Sequence, residues 1–143
     1  MEEKRRIICI GNRYIEEDSA GPRVFDILAS GDLPGNVEVI DGGTSGIGLL
    51  RFADGAARLV FVDSITGFGP PGSVVDLSVH DVLSTSLPEP HGHGSGLDFL
   101  LRALPIACDG PVPEVIVVGV ETPGKPQNFE EAARLSLMRA SAP

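Results

Sequence analysis

Short, nearly continuous apolar runs recur along the chain, and the stretches between several of them carry apolar residues at helical spacing. The runs are residues 6–11 (RIICIG), 37–41 (VEVID), 58–63 (RLVFVD) and 114–120 (EVIVVGV). Strands of this kind are buried on both faces, as in a parallel sheet between helices. Residues 73–79 (SVVDLSV) alternate more and predict a fifth strand at a sheet edge. A first helix is expected from Asp18 or Ser19, with Pro22 in its first turn, Val24, Phe25, Ile27 and Leu28 on its buried side, and Gly31 at its end. A second, weaker helix follows Gly42, Gly43 and Gly46 and carries Ile47, Leu49, Leu50 and Phe52. The third has Leu97, Leu100, Leu101 and Leu104 at i, i+3, i+4 and i+7, with Ser95 as N-cap and Asp98 as its reciprocal partner. The last is predicted to start near Asn128, with Glu131 as reciprocal cap, and to run only to about Arg139, a short final helix. Residues 83–96 (LSTSLPEPHGHGSG) read as one loop. The alternation predicts an α/β fold: a single-domain three-layer sandwich over residues 1–143, with a mostly parallel five-stranded sheet and helices on both faces.

Composition narrows the function classes. A length of 143 residues suits one hydrophobic core, and 18 Gly and 12 Pro among them stay below the level of low-complexity chains. The net charge of −9 would repel a phosphate backbone, so nucleic acid is not expected as a partner. That charge also counts against a peptidyl-tRNA hydrolase, whose first motif resembles the GN-x-Y here. No apolar run approaches the roughly 20 residues that span a bilayer, and the basic residues Lys4, Arg5 and Arg6 precede too few apolar residues for a signal peptide. No membrane association is expected, and a soluble protein of a reducing compartment is. Two cysteines, Cys9 and Cys108, fit neither a disulfide framework nor a C-x-x-C motif, and Cys9 reads as a small core residue.

Ligands of open α/β sheets bind beyond the carboxyl ends of the strands, and three acidic segments fall there. GNRYIEEDSAGPR follows the first strand, DGGTSG the second, and the third ends at Asp63 before SITGFGPPG. Glu16, Glu17 and Asp18 suit either a solvated cluster favouring a helix N-terminus or part of a site. Asp63 ends a run of buried residues, where a carboxylate needs a cation, a helix N-terminus or water. His91 and His93 lie in the Gly-rich loop. Two carboxylates and an imidazole from separate loops would make an open coordination set for a borderline ion such as nickel or zinc. The sequence holds no G-x-S-x-G and no P-loop, which removes serine-hydrolase and nucleotide-hydrolysing readings, and the turn after the first strand lacks G-x-G-x-x-G and carries three acids that would repel a pyrophosphate, which counts against a dinucleotide site. DGGTSG is either a tight turn opening a helix or a place where the backbone approaches a partner closely.

In order along the chain, GN-x5-D-x2-G-x-R (Gly11, Asn12, Asp18, Gly21, Arg23), DGGTSG (Asp41, Gly42, Gly43, Thr44, Gly46), VDS followed by Pro71 and Gly72, and H-x2-GL (His93, Gly96, Leu97) resemble the nickel-iron hydrogenase maturation endopeptidases. The resemblance covers about residues 6–124. It implies a cytoplasmic peptidase that removes a short C-terminal extension from the hydrogenase large-subunit precursor after nickel insertion. It further implies that Asp18, Asp63 and His93 bind the metal and take part in catalysis. By the same resemblance the nickel would be carried by the substrate, with zinc or cadmium able to substitute in vitro. The resemblance also implies that the DGGTSG loop, through Asp41, Gly42, Gly43, Thr44 and Gly46, takes part in recognising the substrate. The spacing to Gly96 and Leu97 favours His93 over His91. A non-catalytic, metal-responsive maturation chaperone on the same fold is the alternative.

Overall fold

In the computed structural model, which describes residues 3–85 and 96–143, the apolar runs assemble into one sheet. Its strands are β1 (Lys4–Ile10), β2 (Val37–Gly43), β3 (Ala56–Ile65), β4 (Val74–Ser78) and β5 (Glu114–Glu121), in the order β2-β1-β3-β5-β4. β1 pairs in parallel with β2 and β3, and β3 with β5; β4 closes one edge antiparallel to β5. Side chains alternate across each strand, so β1 sends Ile7 and Cys9 to one face and Ile8 and Ile10 to the other. Both faces are covered, which is why the central strands read as unbroken apolar runs.

Among the described residues the cover comes from four helices, α1 (Ala20–Ala29), α2 (Val79–Thr85), α3 (Leu97–Ala107) and α4 (Pro126–Ser141), and from a 3-10 segment at Gly46–Ala53, while a short 3-10 turn at Glu16–Asp18 buries no residue. On one face Val24 and Leu28 of α1 and Phe129, Ala132, Ala133 and Ala140 of α4 pack on Ile7, Cys9, Val60, Val62 and Val118. On the other, Leu49 and Ala53 of the longer 3-10 segment, Val82 of α2 and the four leucines of α3 pack on Ile8, Leu59, Phe61 and Val117. The three-layer sandwich is therefore as expected. No helix among the described residues is long and apolar enough to cross a membrane.

Several local expectations need correction. Ile27 is exposed because the inward stripe of the short α1 centres on Val24 and Leu28, leaving Ile27 at its rim. The weaker helix is a 3-10 segment, and Ile47, in its first turn just past β2, is also exposed. β1 begins earlier than expected, β2 runs on through Gly43, and β3 extends past Asp63 to Ile65. Residues 83–85 belong to α2, whose start the sequence reading missed although it carries its own signal. The Ser78 hydroxyl accepts the Asp81 N–H at 3.0 Å and the Asp81 carboxylate accepts the Ser78 N–H at 3.0 Å. The N-cap of α3 is Gly96, not Ser95, which places Asp98 one position earlier in the helix than a reciprocal cap requires. Ser95 lies outside the described residues, as does the rest of the expected loop from 86 to 95.

The final helix is not short. With 16 residues α4 is the longest of the four. Pro126 opens it, and Asn128 acts as the reciprocal partner rather than the cap, its side-chain carbonyl accepting the Lys125 N–H at 2.8 Å. At its other end Arg5 donates to the carbonyls of Ala140, at 2.8 Å, and of Ala142, and Arg58 donates to those of Arg139, at 2.8 Å, and Ala142, at 2.6 Å. Two guanidinium groups thus satisfy carbonyls that helix geometry leaves without partners.

Candidate active site

Gly11 turns the chain out of β1 with φ +142°. A Cβ there would overlap the carbonyl oxygen of Asp18, so only glycine lets the loop from Asn12 to Asp18 fold back over the strand end. Gly21 allows a second close approach: a side chain at that position would overlap the backbone of Ile10, and without one α1 starts directly against β1. The 3-10 turn Glu16–Asp18 then presents Asp18, whose Oδ2 accepts the Asn12 N–H at 3.1 Å.

Asp63 comes to the same rim from β3, beside Gly119 of β5. Its Oδ1 accepts the Ser64 N–H at 2.8 Å, and the Ser64 hydroxyl accepts the Ala20 N–H at 3.2 Å, tying β3 to the start of α1. Burial pushes the Asp63 carboxyl above its ordinary range, the negative charge of Asp18 pushes it the same way, and the Ser64 N–H opposes both. The structure thus brings together two of the three acid and imidazole groups expected to act as one set. Among the described residues no three His, Cys, Asp or Glu side chains are arranged to hold an ion. The third expected member, His93, lies outside the described residues, and so does His91.

DGGTSG divides into a buried support and an exposed tip. Gly42 is buried, and a Cβ there would sit 3.0 Å from the Cys9 carbonyl oxygen and 3.0 Å from Leu49 Cδ1. Gly43 and Gly46 have φ of +52° and +57°, and the Gly43 carbonyl accepts the Gly11 N–H at 3.0 Å, joining this loop to the one after β1. Thr44 and Ser45 are exposed. Asp41 is exposed on β2 and lies 3.6 Å from Arg13, which also holds Asp26 through both terminal nitrogens at 3.0 and 3.2 Å. Arg23 lies over the ring of Phe129, 5.4 Å from its centroid, and so links α1 to α4. The Cys9 thiol is fully buried and its pKa is raised by that burial, then by Asp41 and Asp26, which leaves it a core group without nucleophilic character.

One acid at this rim escaped the sequence reading. Glu121, at the end of β5, is 2% exposed and accepts the backbone N–H groups of Gly67, at 3.2 Å, and Phe68. It fastens the loop after β3, which runs through Pro71 and Gly72. A carboxylate ending an apolar run, the signal that marks Asp63, was equally present here.

Comparison with known proteins follows the same lines. The chain matches the family described as hydrogenase maturation protease (HycI) over residues 22–136. It is 33% identical over 81 residues to the hydrogenase expression/formation protein HupD of Rhodobacter capsulatus, covering 56% of this chain and 39% of that protein. It is 28% identical over 116 residues to the hydrogenase 2 maturation protease of Escherichia coli (strain K12), covering 80% of this chain and 70% of that one. The solved structure of the E. coli hydrogenase maturating endopeptidase HybD superposes with a TM-score of 0.77 at 28% identity, covering 97% of this chain and 94% of that one.

Proposed function

Since the chain belongs to the hydrogenase maturation protease family, we propose that it is an endopeptidase that removes the C-terminal extension of a nickel-iron hydrogenase large-subunit precursor after nickel insertion. The convergence of the turn that carries Asp18 with the end of β3 that carries Asp63, tied by the Ser64 hydroxyl accepting the Ala20 N–H at 3.2 Å, supports this reading. In it, Asp18, Asp63 and His93 meet a nickel ion that the precursor brings, and zinc or cadmium replaces it in vitro. Two carboxylates and one imidazole, without a thiolate, are too few and too hard to hold nickel strongly by themselves, which suits an ion delivered by the substrate. Thr44, at the exposed tip of DGGTSG, meets the precursor, while Asp41, Gly42, Gly43 and Gly46 shape that loop. The reaction belongs in the cytoplasm.

Peptide hydrolysis bonds a water oxygen to the scissile carbonyl carbon, takes a proton from that water and gives one to the departing nitrogen. A carboxyl at the strand end suits this proton transfer, and Asp63, which burial pushes above the ordinary carboxyl range, is the group so placed. With Cys9 buried and its thiol held protonated, the reading is of carboxylate rather than thiol chemistry.

Intact-mass analysis of a nickel-loaded precursor incubated with the protein tests the proposal. Release of one C-terminal peptide is expected, with none from nickel-free precursor. Asp18→Asn and Asp63→Asn should each slow release by at least about a thousandfold, and the double variant should be no worse, because groups acting as a unit are non-additive. Stable binding without any release would point instead to the chaperone alternative.

A further inference from the structure

Tyr14 is 91% exposed, Ile15 50% and Ile47 62%, three of the eight large apolar side chains that the described residues leave to solvent. Single exposed apolar residues are ordinary, but these three belong to two segments that are joined at the carboxyl ends of β1 and β2. Tyr14 and Ile15 belong to the loop that ends in Asp18. Ile47 follows the DGGTSG loop, and the Gly11–Gly43 hydrogen bond and the Arg13–Asp41 ion pair lay the two loops side by side. Rather than being scattered over the surface, the three accompany the carboxylate pair at one end of the sheet.

Charge indicates what would cover them. Glu16 and Glu17, next in sequence to Ile15, are exposed and have no ion-pair partner among the described residues. The nearby cation Arg13 is already shared between Asp26 and Asp41. An acidic fringe beside an apolar cluster, on a chain of net charge −9, favours an occupant with apolar side chains and positive charge. We propose that Tyr14, Ile15 and Ile47, bordered by Glu16 and Glu17, form the docking surface for an apolar, positively charged segment of the precursor, which leads the scissile bond to Asp18 and Asp63. This rests on the peptidase reading and adds to it the chemistry of the segment recognised. Tyr14 is the anchor: a rigid aromatic side chain with a polar tip covers much area at small entropic cost.

The test titrates immobilised nickel-loaded precursor with wild-type protein and two double variants at low and high salt, and follows peptide release in parallel. Tyr14→Ser/Ile47→Ser should weaken capture at least about tenfold, as loss of two interface anchors does. Its thermal midpoint should stay within about 1 °C of wild type, since exposed side chains add little to stability. Glu16→Gln/Glu17→Gln should weaken capture about threefold to tenfold at low salt, and the difference should vanish at high salt, where exposed charges are screened. Unchanged capture by the Tyr14/Ile47 variant, or tighter capture once the two glutamates are neutralised, overturns the surface while wild-type release leaves the peptidase reading intact. Wild-type capture that depends on Tyr14 and Ile47 without peptide release overturns the peptidase reading and keeps the surface. Absence of both capture and release with wild-type protein overturns both.

Discussion

Asp63 carries a carboxyl that β3 partly buries and Asp18 repels, so folding raises its affinity for a proton. Between the ordinary carboxyl value of 3.8 and its higher value in the fold, the folded state binds more protons than the unfolded one, and its contribution to stability falls as pH rises. Replacing Asp63 by Asn should therefore raise the thermal midpoint at neutral pH and remove that part of its decline above about pH 4, while abolishing peptide release. Parallel melting curves from pH 4 to 7 check it, and a variant melting below wild type at pH 7 would contradict the repulsion. Gly42 and Thr44 differ in kind despite sharing a motif. Gly42→Ala pushes a methyl against the Cys9 carbonyl and Leu49, an overpacking that should cost about 1–3 kcal/mol in urea unfolding. Thr44→Val, at an exposed position, should leave stability within about 0.5 kcal/mol and slow processing of the precursor. Asp63 stands out in the sequence because a charge at the end of a buried run needs a reason. Glu121 bore the same mark and was overlooked because its reason, two backbone N–H groups more than fifty residues earlier, leaves no trace in local spacing.

At the level of elements, periodicity found what packing enforces. The leucines of α3 and the runs of β1, β3 and β5 were visible because one side or both sides of each element must be apolar. Where an element depends on distant residues, its limits were misjudged. α4 extends beyond Arg139 with the help of Arg5 and Arg58, which reach its last carbonyls from β1 and β3, 135 and 81 positions away. Arg58→Met keeps most of the side-chain volume and removes these bonds together with the ion pair to Glu114 at 2.9 Å. It should lower stability by about 1–3 kcal/mol in urea, with hydrogen exchange speeding up chiefly in the last turn of α4. Uniform loss of protection over the whole helix would show that the guanidinium supports more than its end. The beginning of α2, by contrast, was legible but unread: Ser78 and Asp81 stand three apart as a reciprocal cap requires.

Taken whole, the molecule follows the three-layer plan that the alternation of runs implies, and its glycines concentrate where loops must fold back on strand ends. The strand order was not legible, because pairing depends on which strand fills which gap and not on the pattern within any strand. That order separates β3 from β4 although they are consecutive, and β5 lies between them. A chain emerging from the ribosome would have β1 through β4 and α3 available while the place between β3 and β4 still waited for residues 114–121. Until those arrive, β4 has no neighbour in the sheet and Val60 and Val62 of β3 lack the flank that buries them. Nascent chains stalled just short of β5 should therefore be cut readily by protease, and chains stalled after α4 has emerged should resist it. The time between those two points is the interval in which synthesis leaves the half-built sheet open, a vulnerability set by where one strand falls in the order of translation.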